Sequence, residues 1–111
     1  MSDFIQVVST TETPEQAARI AKHLVAERLA ACVQIEGPLT SRYHWQGRVE
    51  ETREWRLTAK CRSRTFGEVA AAIRSLHPYD VPEIVATEIV YADEAYRLWL
   101  EQETRGEKGA G

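Results

Sequence analysis

The 111 residues read as one α+β domain, an antiparallel sheet with helices packed on one face. Three observations predict this. Phe4 to Thr11 alternates and is rich in β-branched residues, as a half-buried strand does. Ala17, Ile20, Ala21, Leu24 and Arg28 recur at helical spacing. Trp55, Leu57, Ala59 and Cys61 point one way along a long strand while Glu54, Arg56, Thr58 and Lys60 point the other, a pattern that suits an antiparallel sheet covered on one side.

Each element has a local cause. After the first strand, Thr13 is placed to cap a helix, with Pro14 at its first position and Gln16 completing a capping box, and the helix should end near Arg28 or Leu29. Ala30 to Ile35 is a second strand. Gly37-Pro38 interrupts it as a bulge or bend, and Leu39 to Gln46 continues it through Tyr43 and Trp45. Gln46-Gly47 predicts a tight turn into a strand from Arg48 to about Cys61. Arg64 to Leu76 carries Phe66, Val69, Ala70 and Ile73 at core spacing, with Ser63 as candidate cap. Glu83 to Tyr91 is the last main strand. Asp93 opens a third, short helix whose core face should include Tyr96, Trp99 and Leu100, and Trp55 should pack in the core likewise.

The order β-α-β-β-α-β with a short C-terminal helix is that of the ferredoxin-like fold. We expect a single domain over residues 1–103 and a flexible tail over 104–111, where the composition turns to Gly, Glu, Lys and Ala. The long hairpin with Tyr43 and Trp45 would expose large apolar side chains on an edge, which predicts an oligomer.

Fourteen basic and seventeen acidic residues, dispersed, leave a net charge of −3 and no positive stripe for a phosphate backbone, so nucleic acid is not an expected partner. No apolar run is long enough to span a bilayer, and Met1 to Phe4 leads directly into a strand without a signal-peptide pattern. A cytoplasmic location is therefore expected, where Cys32 and Cys61 stay reduced. Pairing symmetric about Gln46-Gly47 would set the two cysteines nearly opposite each other, but it mismatches the apolar faces. A one-residue bulge at Gly37-Pro38 restores the match and sends the cysteines to opposite faces, so no disulfide is predicted.

The densest chemistry lies in His77-Pro78-Tyr79-Asp80-Val81-Pro82-Glu83, where Pro78 and Pro82 bias His77 and Val81 away from helix and make a rigid loop. Ser41, His77 and Asp80 or Glu83 could supply an enzyme's nucleophile, base and orienting acid. No nucleophile motif surrounds Ser41, so an enzyme is not expected. His23 and His44 are expected in solvent.

Several segments together resemble the CutA divalent-cation tolerance family: Ala30-Ala31-Cys32-Val33, the run Ser41-Arg42-Tyr43-His44-Trp45-Gln46-Gly47, Glu54, the His77-to-Glu83 loop, and Tyr96-Arg97-Leu98-Trp99. The resemblance extends to Trp99. It implies a ferredoxin-like subunit shaped like the PII signalling proteins, a homotrimer whose strands pair between subunits, cytoplasmic location, and a link to copper and other divalent metals. The chain departs from the family pattern at Gln34, where Asn is usual, and at Lys60-Cys61, where Lys-Thr is common.

Copper prefers thiolate and imidazole, so Cys32 and His77 are the candidate metal ligands, in line with that resemblance, with copper or another divalent cation as the expected bound species. Their alternative roles are a small buried strand residue and a helix-terminal histidine. Tyr43, Trp45, Glu54, Tyr79 and Glu83 are candidates to line an intersubunit cleft suited to a small molecule, or else to act as interface anchors. A regulatory or scaffold trimer that binds a small molecule or a protein partner is the competing reading.

Overall fold

The computed structural model describes residues 2–105. Strand β1 (Phe4–Thr11) leads into helix α1 (Pro14–Ala26), followed by β2 (Ala30–Trp45) and β3 (Arg48–Arg62). Helix α2 (Phe66–Leu76), β4 (Val85–Glu88) and α3 (Glu94–Glu103) complete the chain. The four strands form one antiparallel sheet in the order β2-β3-β1-β4, which is the ferredoxin-like topology.

The capping box at α1 forms in full. Thr13 Oγ1 accepts from the Gln16 backbone N–H at 3.2 Å, and Gln16 Oε1 accepts from the Thr13 N–H at 3.2 Å. The helix stops earlier than its periodicity suggests. Arg28 sits at φ 57° instead of on the helical face, and the Leu29 N–H reaches the Leu24 carbonyl at 3.0 Å while the Arg28 N–H reaches that of Val25 at 3.0 Å. This is a Schellman ending with Arg where Gly is usual.

The core lies between the sheet and α1 and α2. Val7, Ile20, Leu24, Leu57, Val69 and Ile73 are fully buried there, each worth roughly 1.5–3 kcal/mol of burial. Phe66 and Trp55 pack against this cluster only partly buried. Cys61 is enclosed in it, paired in register with Ile5 and Ala30.

The register of β2 against β3 carries two irregularities. One falls between Glu36 and Leu39, around Gly37-Pro38 as expected, and a second between Ala30 and Cys32 has no sequence signal. Val33 then faces Ala59 and Ile35 faces Leu57, while Cys32 pairs with Lys60 on the other face. Both cysteines are free. Gly37 is required by space: a Cβ there would lie 2.5 Å from Trp55 Cδ1. At the hairpin tip Gln46 and Gly47 have φ of 50° and 77°, the signature of a type I′ turn.

Beyond the pair Thr11 and Trp55, β1 ends and the β2–β3 hairpin continues alone from Leu39 opposite Glu54 to Trp45 opposite Arg48. Among the described residues no third strand pairs with this arm.

Four expectations are corrected. Ser63 does not cap α2; it begins a short 3₁₀ turn and its hydroxyl donates to the Ser2 carbonyl at 2.6 Å. The last strand covers only Val85–Glu88, because the Ile89 N–H bonds to the carbonyl of Phe4, the first residue of β1, and among the described residues no strand pairing continues past it. In α3, Leu100 is buried but Tyr96 and Trp99 are each 39% exposed, since this short helix lies across the sheet beside Lys60 and Arg62 and not in the two-helix layer. Thr104 is buried and takes a hydrogen bond from Arg62 Nε at 2.9 Å, and the Arg105 N–H donates to the Arg28 carbonyl at 2.9 Å, so the assigned tail starts with two fixed residues. Residues 106–111 of that tail lie outside the described residues.

Thr13→Ala removes one side of the capping box and should lower stability by about 1 kcal/mol. Guanidinium denaturation at fixed protein concentration checks this, and an unchanged midpoint would mean that the cap does not stabilise the helix start.

Candidate functional site

The loop after α2 is held from the sheet. His77 leaves the helix at φ −87° and ψ 136°, the extended conformation imposed by Pro78. Its Nε2 lies 2.7 Å from the Thr10 carbonyl oxygen, and its Nδ1 accepts the Tyr79 N–H at 3.1 Å. A carbonyl can only accept, so the proton is on Nε2 and both ring nitrogens are engaged. The Tyr79 ring lies 4.7 Å from that of His77, centroid to centroid.

Tyr79 in turn reaches β3. Its hydroxyl donates to Glu54 Oε2 at 3.0 Å, and Glu54 is only 7% exposed. Burial pushes the Tyr79 phenol well above the usual tyrosine range, and the hydrogen bond and charge of Glu54, with the charge of Glu12, add to this. The loop and the base of the arm are thereby joined by one polar contact.

Between them lies a cavity of about 680 Å³. Tyr43, Trp45, Glu54, Tyr79 and Glu83 all line it, in company with Thr10, Ser41, Arg42, Pro78, Asp80 and Val81. Arg42 is ion-paired with Glu51 across the hairpin. Thr10 and Arg42 carried no functional signal in the sequence. Thr10 reaches the cavity only because β1 ends beside the loop, and Arg42 is recognisable only once the register sets it opposite Glu51.

The candidate metal ligands fall elsewhere. Cys32, half-buried, pairs with Lys60, which pairs with Gln6, whereas His77 is anchored at Thr10. Four residues along β1 and two strand spacings place the Cys32 and Thr10 backbones on the order of 16 Å apart. Within one chain the two side chains do not share an ion. Among the described residues no group of three or more His, Cys, Asp and Glu side chains is arranged to hold a metal.

Of the two departures from the family pattern, Gln34 Oε1 accepts from Lys60 Nζ at 3.0 Å, and Cys61 sits in the core with its thiol pushed up to about 12 by burial. That thiol is a packing group. His23 and His44 are exposed.

Topology, register and cavity define a ferredoxin-like α+β protein with an aromatic-walled cleft at the base of a projecting hairpin. The model of the CutA1 divalent ion tolerance protein family matches residues 5–103, and the chain belongs to that family. It is 47% identical over 100 residues to the divalent-cation tolerance protein CutA of Thermus thermophilus, covering 89% of this chain and 97% of that one. It is 33% identical to protein CutA of Mus musculus over 92% of this chain, spanning 58% of the mouse protein. The crystal structure of CutA1 from Oryza sativa superposes with a TM-score of 0.92 at 33% identity, covering 96% of this chain and 97% of the rice chain.

Two measurements follow from the site. With Cys32→Ser, the remaining thiol, Cys61, should stay inert to dithiodipyridine in the native protein and react only on denaturation; rapid native labelling would contradict its enclosure. The raised Tyr79 pKa means that the folded state holds this proton more tightly than the unfolded one. Its contribution is complete below the ordinary tyrosine value of about 10 and declines as pH rises above it. Tyr79→Phe should flatten that alkaline loss in denaturation curves taken at successive pH values, and an unaltered slope would refute the assignment.

Proposed function

We propose that this protein serves divalent-cation tolerance as a cytoplasmic homotrimer that binds copper or another divalent cation weakly and without catalysis. The role is that stated in the names of its relatives. The assembly rests on one observation, the arm. A two-stranded hairpin alone in water is marginally stable, and this one exposes Tyr43, Trp45 and Val49 at 39, 45 and 62%. The chain also carries a complementary segment: after Ile89 the backbone runs on through Val90 and Tyr91, which are 73 and 94% exposed, with no strand partner among the described residues. The β2 edge and this non-helical segment, both unpaired among the described residues, would form a heterologous pair between subunits. Such a contact closes into a ring when the rotation allows it.

Cys32 supplies the soft donor, because it is half-buried at the sheet surface whereas Cys61 is enclosed. A trimer would present three copies of it. His77, the other ligand expected from the sequence, acts in this reading as the bolt between loop and β1, since both of its nitrogens are occupied. The same engagement withholds the base that a Ser41-centred enzyme would need. A second reading, a regulatory trimer with a ligand in the cleft, is favoured by the cavity at the arm's base.

Native mass spectrometry of reduced, tag-free protein before and after titration with Cu(I) and Zn(II) tests the proposal. The expected result is a trimer that takes up copper in whole-number steps, with uptake lost in Cys32→Ser and retained in His77→Ala. A monomer would overturn the assembly, and copper uptake indifferent to Cys32→Ser would overturn the donor assignment.

A further inference from the structure

We infer that the cleft at the base of the arm binds a small organic cation, a protonated amine with an apolar body. The inference rests on the cleft reading above and adds the chemistry of its ligand. The volume, about 680 Å³, falls within the range of small-molecule sites. The sign of the charge comes from the walls. Glu54, Asp80 and Glu83 line the cavity, and Glu12 is near enough to act electrostatically on Tyr79. Among the described lining residues the one basic side chain is Arg42, whose charge is already matched by Glu51.

Glu54 is the anchor. It is more than nine-tenths buried, and the one hydrogen bond it receives among the described residues is from Tyr79, to Oε2. Glu54 lines the cleft, and among the described residues its Oε1 receives no hydrogen bond. A buried carboxylate gains most from a charged donor, which is what an ammonium N–H supplies. The rings of Tyr43, Trp45 and Tyr79 give faces that attract a cation and cover an apolar body.

Other ligand classes fit less well. A bare divalent ion needs several oxygens at about 2.0–2.6 Å, and no such group of side chains converges among the described residues. An anion would meet carboxylates, with no basic lining residue among those described except the ion-paired Arg42. A neutral molecule would leave the Glu54 charge uncompensated.

Isothermal titration calorimetry at neutral pH with 2-phenylethylammonium chloride as probe tests this on the intact protein, with 2-phenylethanol and 3-phenylpropionate as the neutral and anionic counterparts. The amine should bind saturably, the alcohol more weakly and the anion least. Glu54→Gln, which keeps an acceptor for Tyr79, should cost the amine about tenfold or more in affinity and leave the alcohol unchanged. Should that variant misfold by circular dichroism, Glu83→Gln at the exposed rim should still cost roughly twofold for the amine alone. Equal binding of amine and alcohol, or an amine affinity indifferent to both substitutions, would overturn the cation assignment and leave the cleft reading standing. Binding of none of the three probes would overturn both.

Discussion

The mismatch in length between β1 and the β2–β3 hairpin is the constraint from which the rest of the molecule follows. β1 stops at Thr11, where the chain must turn to start α1 from the Thr13 cap, while β2 and β3 run on together to Trp45 and Arg48. The part of the sheet that β1 covers is an ordinary two-layer core. The part it does not cover is a ribbon with backbone groups and aromatic side chains facing outward, and a ribbon of that kind needs contacts from elsewhere to persist in water. The cleft exists because of the same overshoot, since it occupies the corner that a longer β1 would fill.

The register within the hairpin decides which chemistry is where. Each irregularity in β2 inserts a residue and so exchanges the faces of everything beyond it. The one at Gly37-Pro38 is set by close packing, because the Trp55 ring lies where a side chain on Gly37 would be. The one at Gly37-Pro38 by itself sets Cys32 opposite Lys60 and away from Cys61, and the one between Ala30 and Cys32 then brings Ala30 opposite the enclosed Cys61. Two thiols of one chain thus acquire unlike environments, one enclosed and one half-buried.

A short polar relay then ties the loop to the arm. The Thr10 carbonyl holds His77, His77 holds the Tyr79 backbone, and the Tyr79 hydroxyl holds Glu54. Removing water from a carboxylate is costly unless donors replace it. Here Tyr79 supplies the one donor among the described residues, and Glu54 lines the cleft. Loop, sheet and arm therefore share one network, and a ligand donor at Glu54 would complete it.

Local chemistry was legible in the residues alone wherever a short-range rule governs it. The capping box of Thr13 and Gln16, the turn at Gln46-Gly47, the bulge at Gly37-Pro38, the extended His77 before Pro78 and the alternation through Leu57, Ala59 and Cys61 are all set by neighbours in sequence, and so was the order of elements that makes the fold ferredoxin-like. Apolar spacing misled at Tyr96 and Trp99, because periodicity reports which face is apolar and not whether anything lies against it. The second bulge near Ala31, the length of β4, the anchoring of Thr104 and Arg105, and the distance between Cys32 and His77 depend on partners far along the chain. The sequence by itself determined the elements and the inventory of reactive side chains; the tertiary structure decided which of them meet, because register and strand length, unlike propensity, are settled only when remote segments pack.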